Sequence, residues 1–585
     1  MLRAVLAAAM TAASVGALGV TAPAGATATH GATYTNPVTA GVADTFADPA
    51  VVRGGDGFWY AFGTSDPLRA GETEHRLLPI LRSADLVRWA YAGDVFSAAN
   101  RPAWATARGM LWAPDIRYVA GRYVLYFTVT DTVLNEGDDS AIGVATAPTP
   151  TGPWTDSGAP IIAPRPAPFG GFLWTFDPAL LTDAAGQHWL YYGSYFGGVF
   201  TVPLTADALH VAGAPTQVTI DNRYEGAYVV RRGGYYYLFG SSANCCAGPT
   251  TGYSVFAGRS TSPTGPFVDR DGISLMTSRV GGTPVIQPNG NRWIGTGHNA
   301  VVTDLAGQDW LVYHAIDKAV PYLNEAFGIN RRPMLIDRLD WIDGWPTVRA
   351  GRWASEGPQL APVTSGTGPA RPAPGLAPPP GVGQVDPAYS DDFNGGQLAP
   401  GWTWVRRDER ATLTGGALRW PTQASDLVGG ANTSAVLLRD APAGDYVVET
   451  KLGIGLGVDT VRNYQQAGLV VYASDDDFAR LTHVAIWNTR QIEYGRELPY
   501  AGRLSYGGMV EGAPRETTWL RLAHRVDEVT GEHEYRCGFS RDGVHWTWGG
   551  TWTFPSGTPP RIGLVSHGGD NPQATALFDY FRVYR

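Results

Sequence analysis

Residues 177–194 read DPALLTDAAGQHWLYYGS, and residues 298–315 read HNAVVTDLAGQDWLVYHA. The two stretches are one pattern written twice: two apolar residues, Thr-Asp, Ala-Gly-Gln, then a Trp placed 12 residues after Asp177 in one copy and 12 after His298 in the other. Each predicts a strand, a tight turn at Asp and Gly, and a second strand, which together make a β-hairpin. Asp183 and Asp304 are turn formers in this reading and carry no chemistry. The same frame fits DPAVVRGGDGFWYAFGTS from Asp48, DIRYVAGRYVLYFTVT from Asp115 and EGAYVVRRGGYYYLFGSS from Glu225, so copies start at 48, 115, 177, 225 and 298. Most hairpins are followed by further strand-like runs. Two of these, SAIGVATAPTPTGPW (140–154) and GYSVFAGRSTSPTGPF (252–267), share a second phrase, Pro-Thr-Gly-Pro and an aromatic residue. About four short strands per unit, repeated five times, predict an all-β fold led by a five-bladed β-propeller.

The first strand of each blade lines the channel of a propeller. Asp48, Asp115, Asp177, Glu225 and His298 are therefore expected to converge on one axis. An Asp-Pro or Glu-Gly pair that merely opens a strand after a turn is the plain alternative for any one of them. Four acids and a histidine at matched places are harder to explain that way, because clustered carboxylates repel one another unless they serve chemistry or a cation. Glycoside hydrolysis needs such a set. One carboxylic acid protonates the leaving oxygen, a second carboxylate acts on the anomeric carbon directly or through water, and a third nearby can raise the acid's pKa.

Beyond the repeat, the 585 residues are too many for one ordinary core, and Pro/Gly-rich APVTSGTGPARPAPGLAPPPGVGQVDPA (361–388) predicts a semi-rigid linker. The N-terminus MLRAVLAAAMTAASVGALGV, with Ala26-Thr27-Ala28 after it, predicts a signal peptide over residues 1–28 and a secreted protein. No later stretch has 18 consecutive apolar residues, so no membrane partner is expected. A net charge of −9 argues against nucleic acid and suits a neutral ligand. Twenty Trp and 27 Tyr would give sugar rings flat faces, although large β cores use aromatics too. With three cysteines there is no disulfide framework. Cys245 and Cys246 are either a vicinal bridge or two thiols.

The segments FADPAVV, SADLVRWAYAGDVF, LWAPDIRYVAGRYVLYF, AIGVATAPTPTGPW, FDPALLTDAAGQHWLYYGSYFGGV, EGAYVVRRGGYYYLFGSSANCCAG, GTGHNAVV and LDWIDGWP, spanning about residues 44–350, resemble glycoside hydrolase family 43. Its five-bladed propellers include arabinanases, α-L-arabinofuranosidases and β-xylosidases. The resemblance implies an inverting enzyme with general base Asp48, general acid Glu225 and Asp177 as modulator of pKa and orientation. It implies that His298 approaches a central cation, usually calcium, largely through water, with a hydrogen-bonded core histidine as the alternative; no organic cofactor is implied. GSYFGGV and NCC resemble the arabinan-active branch, whereas Ala47 stands where arabinanases usually have His, which leaves endo and exo action both open. Trp112, Asp115 and Asn299 are expected in the sugar-binding wall. Phe46, Trp174 and Tyr195 are stacking candidates, with core roles as the alternative. The substrate implied is a plant cell-wall polysaccharide or oligosaccharide such as arabinan or arabinoxylan, and a monomer is expected. A β-xylosidase or other furanosidase on the same fold, or a non-catalytic glycan-binding propeller, are the competing readings.

The last stretch, 389–585, holds alternating strands and Asp-Gly turns, as in YRCGFSRDGVHWTWGG, and predicts a β-sandwich. It resembles the concanavalin-like jelly-roll modules that follow family 43 propellers. The catalytic propeller is expected over 40–355, with the linker at 361–388 between the two.

Overall fold

A computed structural model describes residues 32–366, 371–557 and 560–585. The expected signal peptide and residues 367–370 of the expected linker lie outside the described residues. Five four-stranded antiparallel sheets follow one another in chain order, each with its strands in sequence. Their first strands are Ala50–Arg53, Leu111–Val119, Ala179–Thr182, Glu225–Arg232 and Trp293–Thr303, and their last residues fall at Asp94, Asp156, Gln217, Ile286 and Val348. The fold is the five-bladed propeller expected from the repeat.

Alternation along each first strand builds the propeller's core. Successive side chains point to opposite faces of a blade, so each strand feeds two different interblade layers. Ala50 joins a buried cluster with Phe62, Leu125 and Trp154 between blades one and two, while its neighbour Val51 joins Trp59, Val302 and Trp310 between blades one and five. Further clusters fill the gaps between blades two and three, three and four, and four and five. Asp183 and Asp304 act as turn residues: each accepts backbone N–H groups two and four residues on and the indole N–H of its own hairpin's Trp. The ring closes through the N-terminal segment, where Val38 and Phe46 donate backbone bonds to Met334 and Arg332 of the fifth blade's side.

The repeat's register differs from the expected one, and the difference decides the site. The matched position in five blades is Asp48, Ala113, Asp177, Gly226 and His298, whose φ angles are 52°, 45°, 58°, 58° and 46°. Two residues later comes the first regular pair with the second strand: Ala50–Phe62, Asp115–Tyr126, Ala179–Tyr191, Tyr228–Phe239 and Ala300–Val312. Asp115 is thus two residues beyond the matched place and Glu225 one before it. Matching acid to acid missed the irregularity, a bulge in the ladder of blades two, four and five at that point. Bulges re-aim side chains near functional sites.

Residues from Thr403 to Tyr584 form two seven-stranded antiparallel sheets packed face to face, a β-sandwich. It packs against blades four and five. Arg223 donates to Gln491, Thr250 and Ser505 share a hydroxyl contact, Gln287 bonds Glu511, and Lys318 bonds Glu532 at 2.7 Å. Cys245 and Cys246 are bonded to each other, and Cys537 is a buried free thiol in the sandwich. Among the described residues no helix is long and apolar enough to cross a membrane.

Candidate active site

The left-handed residue of each blade is held by the blade before it. The N–H of Ala113 donates to Thr64 Oγ1 (2.9 Å), that of Asp177 to Thr128 Oγ1 (3.0 Å), that of His298 to Ser241 Oγ (2.9 Å) and that of Asp48 to His314 Nδ1 (3.2 Å). Blade four departs from this scheme. Gly226 donates its N–H to Asp177 Oδ2 at 2.8 Å, and the hydroxyl of Ser194, in blade three, turns to Glu225 Oε2 at 2.8 Å. Gly226 suits this place because positive φ costs glycine nothing. One ring of bonds therefore closes the inner propeller and brings Asp48, Asp177 and Glu225 to it.

Asp48 is buried (9% exposed). Its Oδ2 accepts the Thr64 hydroxyl, and its Oδ1 lies 3.3 Å from Nδ1 of both His298 and His314 and 3.7 Å from the Arg332 guanidinium. Burial alone would raise its pKa, but His298, Arg332 and His314 outweigh burial and hold the carboxyl below its ordinary value. Arg332 in turn bonds buried Asp66 at 3.3 Å, which fixes the guanidinium.

Glu225 is the opposite case. Burial raises its pKa and the Asp48 charge adds to that, against the lowering effect of the Tyr253 and Ser194 hydroxyls. Tyr253 OH donates to Oε1 at 2.7 Å, and its ring stacks on His314 with centroids 5.7 Å apart, which links the surroundings of the two acids. Asp177 is raised further, by burial, by Glu225 and by Asp48. One carboxyl is thus kept ionised while two facing carboxyls compete to keep a proton. Such divergence is the mark of acid and base roles.

The remaining candidates separate. Trp112 and Trp174 are 37% and 43% exposed and flank Phe176, at 6.1 and 5.8 Å between ring centroids, so they make one aromatic wall beside Asp177. Tyr195 is partly buried near Glu225, its hydroxyl bonded to Ala243 O at 2.6 Å. Phe46 is a correction. It is 1% exposed, belongs to the core between blades five and one, and lies under Gly63, so it offers no face to a sugar. Asp115 is another. It is 2% exposed, pairs with Arg117 at 2.7 Å and accepts the Leu180 N–H at 2.7 Å, which clasps blade two to blade three rather than lining the sugar wall. Burial pushes its pKa up to about 6, with Arg117 opposing. Asn299 is buried beside His298 and neither atom of its amide has a protein partner.

Sequence reasoning passed over Thr64, Arg332, His314, Tyr253, Ser194 and Phe176. Phe176 carried a signal because it stands next to Asp177, and Thr64, His314 and Ser194 because they close the repeat copies that start at Asp48, His298 and Asp177; Arg332 and Tyr253 lie on loops outside the repeat, where nothing marks them.

The metal expectation can be set against the donor set. Calcium takes six to eight oxygens. His298 supplies one nitrogen, which faces Asp48, and Asn299 supplies one unpartnered amide oxygen. Among the described residues no three His, Cys, Asp or Glu side chains are placed to hold one ion. The residues fit an ion held mainly by water, and do not fit a protein cage.

The model of the family described as Glycosyl hydrolases family 43 matches residues 34–346, and that described as Beta xylosidase C-terminal Concanavalin A-like domain matches residues 390–584. The extracellular exo-alpha-(1->5)-L-arabinofuranosidase ArbA of Cellvibrio japonicus is 33% identical over 327 residues, covering 52% of this chain and 85% of that protein. The extracellular endo-alpha-(1->5)-L-arabinanase 1 of Bacillus subtilis is 31% identical over 311 residues, covering 51% and 86%. Among solved structures, the alpha-L-arabinanase of Cellvibrio cellulosa complexed with arabinohexaose is 31% identical, covering 52% of this chain and 95% of that one with a TM-score of 0.43.

Proposed function

This chain belongs to glycosyl hydrolases family 43 and is a glycoside hydrolase, and from that premise we propose that it cleaves α-L-arabinofuranosyl linkages in arabinan or arabinoxylan with inversion. The observation that carries the mechanism is the opposed displacement of two carboxyls, Asp48 held low and Glu225 held high. Glu225 gives its proton to the glycosidic oxygen as the bond from that oxygen to the anomeric carbon breaks. Asp48 takes a proton from a water that attacks the same carbon from the opposite face, and the hydroxyl it delivers has the inverted configuration. Exchange with solvent then returns each carboxyl to its starting state. Asp177 and Glu225 are close enough to compete for a proton, and the bond from the Gly226 N–H to Asp177 fixes the peptide next to the acid. Thr64 and Arg332 position Asp48.

Trp112, Trp174 and Tyr195 give the bound sugars apolar faces, and Asn299 gives a buried amide. A calcium ion in the channel would be held by His298 and Asn299 chiefly through water, and would supply positive charge there. Residues 40–355 are the catalytic unit in this proposal, joined through 361–388 to the sandwich at 389–585. The first 28 residues are the export signal; the relatives named above are themselves extracellular.

The test is Glu225→Gln, which keeps the side chain's shape, its amide oxygen accepting one of the two neighbouring hydroxyls and its N–H donating to the other. Turnover of 4-nitrophenyl α-L-arabinofuranoside should fall by about 10²–10⁴-fold with unfolding unchanged. Hydrolysis at the wild-type rate would remove Glu225 from the mechanism. The description of the C-terminal module favours one second reading, a β-xylosidase. Faster turnover of 4-nitrophenyl β-D-xylopyranoside than of the arabinofuranoside would select it.

A further inference from the structure

A hairpin of the sandwich carries a tryptophan where tryptophan is seldom found. Strands Asp477–Ile486 and Thr489–Tyr500 are joined by Trp487-Asn488, and Trp487 has φ 50°. Two-residue hairpin turns with positive φ favour Gly, Asn and Asp, and a bulky residue there is strained by about 1–3 kcal/mol. Beside it stands Tyr464, also left-handed at φ 67°, with ring centroids 6.3 Å apart and the planes at 67°. Neither ring repays its backbone by joining a core: Trp487 is 49% and Tyr464 52% exposed.

The pair is nevertheless built rigidly. Trp487 N–H donates to Asn463 Oδ1 at 2.7 Å and Tyr464 N–H to Ala485 O at 2.7 Å. Underneath, fully buried Arg490 donates to the carbonyls of Trp487 (3.0 Å), Leu456 (3.1 Å), Gly457 (2.9 Å) and Asp459. One guanidinium therefore pins the loop bearing Tyr464 and the hairpin bearing Trp487 into a single unit. Two rings held rigid, wet and strained are fitted for a ligand rather than for folding.

The unit stands at the rim of the active-site end. Asn488 donates to Asp221 Oδ1 at 2.6 Å and accepts from Asn222 at 2.8 Å; the Asn222 N–H goes to Tyr195 O at 2.6 Å, and Glu225 follows three residues later. The path from Trp487 to Glu225 spans at most about 25 Å. Sugar rings present C–H faces that stack on flat aromatic rings, and a Trp and a Tyr also offer polar tips to hydroxyls. We propose that Tyr464 and Trp487 form a sugar-stacking platform that holds the neutral glycan chain several residues beyond the bond being cut. The proposal rests on the glycosidase reading of the propeller, and assigns the sandwich to long substrates.

Trp487→Asn is the informative variant, because asparagine suits the left-handed turn. Its thermal unfolding midpoint should stay the same or rise. Combined with Tyr464→Ala, it should raise KM for linear arabinan about tenfold while kcat, and both constants for 4-nitrophenyl α-L-arabinofuranoside, stay at wild-type values. An unchanged arabinan KM in the double variant would overturn the platform, and so would a fall in the midpoint for Trp487→Asn, which would make the ring a structural element. Wild type that cleaves neither substrate would instead sink the arabinofuranosidase reading. The platform is then judged by affinity electrophoresis through gels containing arabinan, arabinoxylan or xylan: retardation lost in the double variant supports it, and none in wild type overturns it. A wild-type dimer in sedimentation that the double variant dissolves would give the rings to self-association and overturn the proposal.

Discussion

Replacing Thr64 by valine removes one hydroxyl and almost no volume, yet that hydroxyl has two duties. It donates to Asp48 Oδ2 and accepts the N–H of Ala113 at 2.9 Å, in a site where Thr64 is 3% exposed. A bond to a charged carboxylate is worth about 1.5–3 kcal/mol, and an orphaned buried N–H costs about 1–3 kcal/mol. Together Thr64→Val should lose about 3–5 kcal/mol of stability at neutral pH, a sizeable part of a domain's usual margin. The sign of the pH effect follows from Asp48. Its folded pKa is depressed, so its bonds stabilise the fold above the unfolded carboxyl's pKa, and that contribution is lost as pH falls through the folded value. The variant has less of it to lose, so the stability gap to wild type should narrow on acidification. Losing a donor to the ionised form also raises the Asp48 pKa, and the acid limb of kcat/KM should move toward neutral pH. Urea unfolding at several pH values and a pH–rate profile on the aryl arabinofuranoside read both effects. Thr64→Ser is the control, since it keeps the hydroxyl and should keep the wild-type limb. An acid limb of Thr64→Val that coincides with wild type would refute the assignment of Asp48 as the base held by Thr64.

Asp177→Asn removes the second carboxyl of a buried pair that competes with Glu225 for a proton, and with it the pair's upper ionisation. The alkaline limb of kcat/KM should therefore move to lower pH; a limb that stays in place would mean that Asp177 does not tune the acid. Dialysis against EDTA should lower kcat/KM on arabinan, with recovery in millimolar calcium, the range expected for a site of few protein oxygens. Unchanged kinetics after chelation would leave His298 as a partner of Asp48 alone.

The fold was legible because two hairpins carry the same turn and a Trp in the same places, and the frame of apolar strand, turn and aromatic-rich second strand recurs in all five copies. The register was less legible. In blades one, three and five the polar residue that lines the channel is itself the left-handed one, so Asp48, Asp177 and His298 were correctly matched. In blades two and four that place belongs to Ala113 and Gly226, residues without chemistry, and the nearest acid was matched instead. For Glu225 the error was one residue and harmless, since the Gly226 bulge turns Glu225 into the channel. For Asp115 it was two residues, and the side chain ends between blades beside Arg117. Phe46 misled because an aromatic residue before an Asp-Pro reads alike whether it faces a sugar or a core. The contacts that set the charge of Asp48 were out of reach, because Arg332 and His314 come to it from more than 260 residues away, as do Asn488 and Gln491 to Asn222 and Arg223 just before the strand of Glu225.

Stability and catalysis are joined in this propeller by one device. Asp48, Asp177 and His298 sit in left-handed backbone that costs a non-glycine residue about 1–3 kcal/mol, and each is held there by a side chain from the preceding blade. Those same bonds close the ring. A loosened blade would therefore misplace an acid before it unfolded the domain, and a misplaced acid would open a blade. Blade four shows the exchange most plainly. There the holding bond runs from Gly226 to the carboxylate of Asp177, and Ser194, free of that task, is bonded to Glu225 instead. The one blade that gives up the common closure is the one that carries Glu225, the acid proposed to hold the proton.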